Sequence, residues 1–137
     1  MNAKILVALA LSGMALQAVA ADPKPNVQKL PSGVEVTHIT VGKGAKPTAS
    51  NTVKVHYEGK LANGKVFDSS YKDGQPISFP LDRVIKCWTE GVQTMQVGGK
   101  ATLHCPAKTA YGAAGAGGVI PPNADLTFTV ELLGIEN

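Results

Sequence analysis

The sequence has few aromatic residues, little net charge and only two cysteines. Aromatic side chains make up 5% of its 137 residues, and the formal net charge is +3. Such a small charge does not indicate a nucleic-acid partner, because nucleic-acid-binding proteins concentrate basic residues. With 44% hydrophobic and 17% charged residues, the composition is neither that of a disordered chain nor that of a membrane bundle. The length predicts one domain with a hydrophobic core.

The sequence also lacks the motifs of several enzyme classes. No serine or cysteine has a base at a recognisable spacing, so a hydrolase is not indicated. We interpret His38 and His56 as surface or hydrogen-bonding residues. There is no internal repeat, coiled-coil pattern or run of like charges.

The N-terminus has the pattern of a secretory signal peptide. Lys4 supplies a positive charge, Ile5–Leu16 is an almost unbroken apolar run, and Ala18–Ala20 resembles a cleavage site. The apolar run is too short to span a bilayer comfortably, although an uncleaved membrane anchor remains an alternative. We predict that residues 1–20 are removed and that the mature chain, from Ala21, is exported to the periplasm or secreted.

Fifteen glycines and nine prolines predict many turns and short strands. Residues 21–33 contain three prolines and little pattern, which predicts a flexible leader before a folded domain at residues 34–137. Thr52–Leu61 is the clearest strand because its apolar and polar residues alternate, and Asn63-Gly64 after it predicts a hairpin turn. The other predicted strands are Val34–Val41, Lys65–Asp68, Ile77–Phe79, Lys100–Cys105 and Asp125–Leu133.

One short helix is predicted around the only tryptophan. Apolar residues recur at helical spacing in Val84–Met95, which contains Trp88, and Thr89 or Glu90 is expected to cap its start. A helix of about two turns is unstable alone, so it must lie on the strands. Because one short helix can cover only one face of an antiparallel sheet, the predicted fold class is α+β, with four to six strands.

Several apolar and aromatic residues are not explained by the alternation of the strands. They are Tyr57, Phe67, Val84, Ile85, Trp88, Tyr111, Ile120 and Phe128. If the helix crosses the sheet, Trp88 becomes the floor of a pocket, with Asp68 as the one charged residue beside it. An ordinary core position for Trp88 is the alternative. Such a pocket suits a ligand whose chemistry needs desolvation and no nucleophile.

Four separated segments carry a pattern that is found in one family. They are VHYEGKLANGKVFDSS (Val55–Ser70), VIKCWTEGVQTMQVGGKATL (Val84–Leu103), AYG (Ala110–Gly112) and IPPNADLTFTVELL (Ile120–Leu133). These segments resemble the FKBP-type peptidyl-prolyl cis/trans isomerases, and four motifs in the right order are far more specific than one. The resemblance covers roughly residues 34 to 135. It implies an antiparallel sheet of five or six strands wrapped around one short helix.

The resemblance also implies an activity and a set of site residues. Members of the family isomerise X–Pro bonds without a cofactor, a metal or a covalent step. The implied catalytic residues are Tyr57, Phe67, Asp68, Trp88 and Tyr111, and the implied substrate-binding residues are Ile77, Val84, Ile85, Ile120 and Phe128. In the family, the backbone amide at the position of Ile85 and the hydroxyl at that of Tyr111 bind ligand carbonyls. Gly112–Gly118 is expected to form part of a flap over the pocket.

The chain departs from the family pattern at several positions. Lys72 and Asp73 stand where related sequences commonly place a basic residue that pairs with the pocket aspartate, here Asp68, and Lys72 is the candidate substitute for it. Ile77 replaces an aromatic wall residue, and Ala116 replaces a histidine that some members have in the flap. These changes bear more on the expected affinity for macrolides than on catalysis.

Cys87 and Cys105 are the only cysteines in the chain. In an exported protein with two cysteines, a disulfide is the leading interpretation, and we predict that bond. Two buried free thiols are the alternative. A metal site made by Cys87, His104 and Cys105 is a weaker alternative, because neighbouring residues of a strand point to opposite faces.

The sequence therefore predicts an exported prolyl isomerase that assists the folding of other exported proteins. Its expected partners are proline-containing unfolded or partly folded proteins, with macrolides as candidate ligands. We expect a monomer, because nothing in the sequence resembles the dimerising helical domain of some exported relatives. Because Asp68 is charged, Glu-Pro bonds are expected to be poorer substrates than Leu-Pro bonds. A non-catalytic binding module and a thiol-disulfide or metal protein are the alternatives.

Overall fold

Seven antiparallel strands and one short α-helix form the framework of residues 26–137, the part of the chain that the computed structural model describes. The strands are β1 (Asn26–Lys29), β2 (Glu35–Thr40), β3 (Thr52–Leu61), β4 (Val66–Ser69), β5 (Ile77–Pro80), β6 (Lys100–Cys105) and β7 (Leu126–Ile135), and the helix is α1 (Lys86–Val92). The predicted signal peptide and the first five residues of the predicted leader lie outside the described residues. The predicted α+β fold, an antiparallel sheet with one short helix, is confirmed, and the sheet has seven strands where at most six were predicted.

The sheet is built around its two longest strands, β3 and β7. The strand order is β1-β2-β6-β7-β3-β4, and β5 pairs with β3 outside this path. β3 pairs with β7 over nearly its whole length, from Val53 opposite Ile135 to Leu61 opposite Leu126. On its other side, β5 covers the first half of β3 and β4 covers the second half. β3 is therefore hydrogen-bonded along both edges, and it becomes one wall of the site.

Alternating burial along β3 follows the alternation in the sequence. Val53 and Val55 are fully buried and Tyr57 nearly so, whereas Lys54 between them is exposed. β6 and β7 repeat this pattern, so one face of the sheet is apolar. The hydrophobic core lies between this face and α1, and Val92 and Met95 lie on the helical side of it.

The strand at the sheet edge corrects one prediction. Asn26–Lys29 falls within the segment predicted to be a flexible leader, yet it forms β1 and pairs with β2 from Asn26 opposite His38 to Lys29 opposite Glu35. All four of its residues are exposed, so no apolar alternation marks the strand. Backbone hydrogen bonds to β2 hold β1 in place. Such bonds do not require any particular order of apolar and polar side chains, so the sequence pattern could not predict this strand.

The helix begins two residues later than predicted and without the predicted cap. Ile85 is the N-cap residue of α1, and no side chain there bonds the first amides. Thr89 instead donates its hydroxyl to the carbonyl of Leu81 at 2.5 Å. α1 stays folded because its inner face is buried against β6, where a side chain added at Gly91 would meet Leu103 at 3.0 Å. No helix within residues 26–137 is long and apolar enough to cross a membrane.

Candidate active site

A mainly apolar cavity of about 500 Å³ lies beside α1. It is lined by Tyr57, Phe67, Asp68, Phe79, Arg83, Val84, Ile85, Trp88, Tyr111 and Phe128. Eight of these ten residues are among the site residues predicted from the sequence. The volume falls in the range of small-ligand sites, and a few polar groups stand among apolar walls, as is usual for such sites.

Trp88 lies at the centre of an aromatic cluster. Its ring is 4% exposed and makes edge-on contacts with Tyr57, Phe79 and Phe128 at centroid distances of 5.4, 5.3 and 5.4 Å. Phe67 extends the cluster through an edge-on contact of 5.6 Å with Phe128. Edge-to-face geometry at these distances is favourable for aromatic rings. The rings that surround Trp88 are therefore fixed relative to one another, and they present a rigid apolar surface to the cavity.

Asp68 is held by hydrogen bonds to two neighbours. The Tyr57 hydroxyl donates to its Oδ2 at 2.6 Å, and the Ser69 amide donates to its Oδ1 at 2.9 Å. Both carboxylate oxygens thus have a partner, and neither partner is Lys72. Burial raises the pKa of Tyr57 well above its usual range, and the hydrogen bond to Asp68 raises it further. The phenol therefore remains a proton donor to Asp68 at physiological pH.

The raised pKa of Tyr57 predicts a loss of stability in alkali. A raised folded-state pKa means that the contribution of Tyr57 is fully present below its ordinary value of 10.0 and is lost as the pH rises above it. Tyr71, whose pKa burial and the Glu131 carboxylate raise to about 12, acts in the same direction. We expect Tyr57→Phe to flatten the fall in unfolding free energy above that pH, measured by urea unfolding across a pH series. Identical slopes for the two proteins would contradict this assignment.

Ser70 holds the backbone of Tyr57 through hydrogen bonds. This role was not predicted from the sequence. Its hydroxyl is buried, accepts the Tyr57 amide at 2.8 Å and lies 2.9 Å from Nδ1 of His56. The Ser70 amide in turn donates to the Tyr57 carbonyl at 2.9 Å. These bonds join the end of β4 to β3 and so fix Tyr57 relative to Asp68. A serine in a polar segment carries no sequence signal for this role, because only the fold brings it to Tyr57.

The segment before α1 forms the next part of the wall. A 3₁₀ turn at Leu81–Arg83 is anchored by the buried Leu81, whose amide donates to the Asn51 carbonyl at 3.0 Å. Val84 and Ile85 follow in extended conformation, and the Ile85 carbonyl accepts the Trp88 amide at 2.9 Å. Both residues are half-buried and line the cavity.

The glycine-rich segment predicted as a flap begins next to the cavity. Tyr111 lines the cavity, is 41% exposed and precedes a 3₁₀ turn at Gly112–Ala114. Ala116 and Ile120 exchange backbone hydrogen bonds of 2.9 and 3.0 Å, which close the segment on itself. Gly115 has φ +64°, and a Cβ there would stand 2.3 Å from the Ile120 carbonyl oxygen. The chain therefore needs glycine at this turn.

Two of the predicted binding residues do not line the cavity. Ile77 begins β5 at the border of the sheet and is 37% exposed, while Phe79, two residues further along the same strand, lines the cavity instead. Ile120 is buried with the hydrophobic core. Their predicted place in the wall is therefore corrected. The register of β5 on β3 sets which residue lies near Trp88, since Phe79 is opposite Val53 and Ile77 opposite Val55.

Arg83 and Phe79 were missed as cavity residues. Phe79 has the aromatic character that the other wall residues share, and that signal could have identified it. Arg83 is exposed and lies in a 3₁₀ turn, where a charged residue normally indicates only solvent. Its position in the wall follows from the turn and not from any pattern in the sequence.

A disulfide joins Cys87 of α1 to Cys105 of β6, with Cα atoms 5.6 Å apart, and confirms that prediction. Both cysteines are fully buried. The bond links the residue next to Trp88 to the neighbouring face of the sheet. Because both sulfur atoms are in the disulfide, Cys87, His104 and Cys105 do not form the alternative metal site. In residues 26–137, no three histidine, cysteine or carboxylate side chains are grouped as metal ligands.

Comparison with known proteins identifies the family. The family model for "FKBP-type peptidyl-prolyl cis-trans isomerase" matches residues 43–133. FkpA of Aeromonas hydrophila, an FKBP-type peptidyl-prolyl cis-trans isomerase, is 52% identical over 82% of this chain and 42% of its own length. FK506-binding protein 1 of Dictyostelium discoideum is 54% identical over 74% of this chain and 96% of its own. The chain belongs to the FKBP-type peptidyl-prolyl cis-trans isomerases, a family of isomerases.

Solved structures agree with this assignment. The crystal structure of a peptidyl-prolyl cis-trans isomerase from Pseudomonas syringae is 44% identical, has a TM-score of 0.77, and matches 83% of this chain and 84% of its own. The chain spans less than half the length of several bacterial relatives that it matches, from 42 to 49% in three of them. The resemblance inferred from four sequence segments is therefore confirmed for the family and the fold.

Proposed function

We propose that this protein accelerates the cis/trans isomerisation of X–Pro bonds in exported proteins as they fold. The observation that carries the proposal is the aromatic cavity around Trp88, in which Asp68 and Tyr57 form a hydrogen-bonded pair at 2.6 Å. The cavity offers a mainly apolar surface to a proline ring. The isomerisation transfers no group and forms no covalent intermediate, so the chemistry needs no nucleophile.

The physical problem is rotation about a resonance-stabilised bond. Amide resonance gives the C–N bond a rotation barrier of about 18–20 kcal/mol, so the uncatalysed reaction takes tens of seconds or more. Twisting the bond removes the charge separation of the planar amide. A dry aromatic environment therefore destabilises the planar form relative to the twisted form. Side chains that hold the ring in a twisted geometry lower the barrier further.

Each part of the cavity has a proposed role. Trp88 forms the floor under the proline ring, and Phe67 and Phe128 keep water from one side. The Ile85 amide and the Tyr111 hydroxyl bind carbonyl oxygens on either side of the proline and so orient the peptide. Asp68, oriented by Tyr57 and the Ser69 amide, supplies a fixed negative charge at the edge of the cavity. The same surface would accept a macrolide ligand.

Two observations support a role in exported proteins. The N-terminal pattern is that of a signal peptide, and a disulfide joins Cys87 to Cys105. Disulfides persist in oxidising compartments and are rare in the cytosol. We therefore place the mature protein in the periplasm or outside the cell, acting as a monomer on unfolded or partly folded proteins with exposed prolines.

The activity can be tested with short peptides. We expect Ala21–Asn137 to accelerate cis-to-trans conversion of a Leu-Pro peptide above the thermal rate, and blocking thiols or serines to leave that rate unchanged. The measurement is protease-coupled or fluorescence-detected isomerisation, with circular dichroism to verify the fold. A folded protein that gives only the thermal rate would exclude the enzyme and favour the alternative function, a module that binds proline-containing segments in the same cavity without catalysis.

Variants of the wall separate the roles of its residues. We expect Phe67→Ala to lower kcat/KM by about tenfold, or ~1.4 kcal/mol of transition-state stabilisation, because it opens the dry wall to water. Asp68→Ala is expected to cost less, about threefold, because the ring is still enclosed. Val66→Ala is the matched control, since Val66 is 41% exposed on the same strand and does not line the cavity. A loss for Val66→Ala as large as that for Phe67→Ala would show that β4 itself, and not the aromatic wall, is responsible.

A further inference from the structure

Two charged side chains line the cavity, and their surroundings differ. The carboxylate of Asp68 is engaged on both oxygens, by the Tyr57 hydroxyl and the Ser69 amide. Arg83 is exposed on the segment that leads into α1. Asp68 also acts through space on the Tyr57 hydroxyl, as does Asp73. The negative charge is thus grouped around Tyr57, and Arg83 is the one cation among the residues that line the cavity.

The guanidinium of Arg83 forms no salt bridge within residues 26–137, although the exposed Asp82 precedes it in the same turn. In the described part of the chain, salt bridges join Lys60 to Glu58 and Lys86 to Glu90, and none includes Arg83. Lys86, the next cation along the chain, is therefore already paired. A planar guanidinium with five N–H donors is well suited to bind a carboxylate through two parallel hydrogen bonds.

The backbone that carries Arg83 is fixed. Leu81, two residues earlier, is fully buried, and its amide donates to the Asn51 carbonyl at 3.0 Å. Its carbonyl accepts the hydroxyl of Thr89, in α1, at 2.5 Å. These bonds tie the turn to β3's start on one side and to the helix on the other. The charge is thus presented at a defined place beside the cavity.

We propose that Arg83 contributes to substrate specificity by raising activity toward proline segments that carry aspartate or glutamate next to the proline, above the low activity that Asp68 alone would allow. This inference rests on the isomerase function proposed above. When a proline ring occupies the cavity, its neighbours lie within about 3.3–3.6 Å per residue along the peptide. Because Arg83 lines the same cavity, we expect its charge to act on those neighbours, since screening in solution sets in over roughly 8–10 Å. Arg83 therefore opposes the repulsion that Asp68 exerts on an acidic neighbour, and it modifies the preference expected from Asp68 alone.

The test compares two peptides that differ only in charge. We would measure kcat/KM for Ala-Glu-Pro-Phe and for Ala-Gln-Pro-Phe. The Glu-to-Gln ratio is the first value divided by the second for one protein, so a substitution that changes catalysis of both peptides equally leaves it unchanged. We expect Arg83→Gln to lower this ratio about two- to fivefold, the range of an exposed ion pair, and Arg83→Glu to lower it further. Arg83→Lys should retain most of the ratio because it keeps the charge. Lys54→Gln is the matched control, since it removes an exposed cation that does not line the cavity, and it should leave the ratio unchanged.

The salt concentration provides a second test. Raising it should bring the Glu-to-Gln ratio of the wild type closer to that of Arg83→Gln, because screening weakens the attraction to Arg83, whereas Asp68 is present in both proteins. A ratio that is the same in wild type and Arg83→Gln, or a difference between them that does not shrink with salt, overturns the proposal. If the wild type isomerises neither peptide, the proposed function has failed. The ratio of the two binding affinities, measured by Trp88 fluorescence, then tests Arg83 separately, and equal ratios for wild type and Arg83→Gln overturn its role.

Discussion

Replacing Trp88 with alanine is expected to lower the free energy of unfolding by about 3–5 kcal/mol, as large aromatic truncations in cores do. The ring is 4% exposed and contacts Tyr57, Phe79 and Phe128 edge-on, so its removal leaves a hole that three neighbours share. Those neighbours cannot close the gap without leaving their own strands. Urea unfolding followed by far-ultraviolet circular dichroism measures the effect, because the variant lacks its only tryptophan.

Leu133→Ala provides the control for this measurement. Leu133 is 43% exposed on β7, so the truncation removes little buried surface and should change stability by no more than about 0.5 kcal/mol. A loss below about 1 kcal/mol for Trp88→Ala would contradict the central place of this ring in the core. Trp88→Ala should also abolish ligand binding, since Trp88 is proposed to be the floor under the proline.

Loss of the Cys87–Cys105 disulfide is expected to destabilise the protein by roughly 3 kcal/mol. The two residues are 18 apart in sequence, and the bond restricts the unfolded chain over that loop. In the folded protein it also joins the start of α1 to β6 next to Trp88. Unfolding curves of oxidised protein and of protein reduced while denatured give the difference. Denaturation is needed before reduction because both cysteines are fully buried.

A variant with serine at both cysteine positions distinguishes the effect of losing the disulfide from any direct effect of the reductant on stability. The reductant should not change the stability of this variant, whereas it should lower that of the wild type. Intact-mass measurement after alkylation of unreduced, denatured protein reports the redox state directly. Two alkylated thiols in protein purified from an oxidising compartment would contradict the disulfide, and a stability difference below about 1 kcal/mol would contradict its proposed contribution.

The strands with clear alternation could be predicted to the residue. Thr52–Leu61 and Lys100–Cys105 have the predicted bounds, because each is bonded on both sides and buries one face. Asn63-Gly64 forms the predicted turn, with Gly64 at φ +90°. β1 could not be predicted, since its four residues are exposed and backbone pairing alone defines it. The alternation of apolar and polar residues indicates which side chains are buried, and the side chains of β1 are exposed.

The aromatic part of the site was predictable from large rings that do not fit the alternation of the strands. Such rings must still be buried, so we expected them to pack together. Trp88 and Phe67 were identified in this way. Ile77 was misplaced because the choice between Ile77 and Phe79 depends on the pairing of β5 with β3. Ser70 supports Tyr57 only after the fold brings β4 to β3. None of these relations is local, so no spacing within one segment could have revealed them.

The sequence by itself determined the fold class, the family and most of the large apolar residues that surround Trp88. The fold class could be predicted because strands that bury one face alternate apolar and polar residues. The family could be predicted because four of its sequence motifs occur in the right order. Only the tertiary structure decided that Tyr57 bonds Asp68, that Phe79 completes the wall, and that Arg83 stands beside it. Hydrogen bonds and charges act between residues that are distant in sequence. Their partners are therefore set by strand register and by the turn before α1.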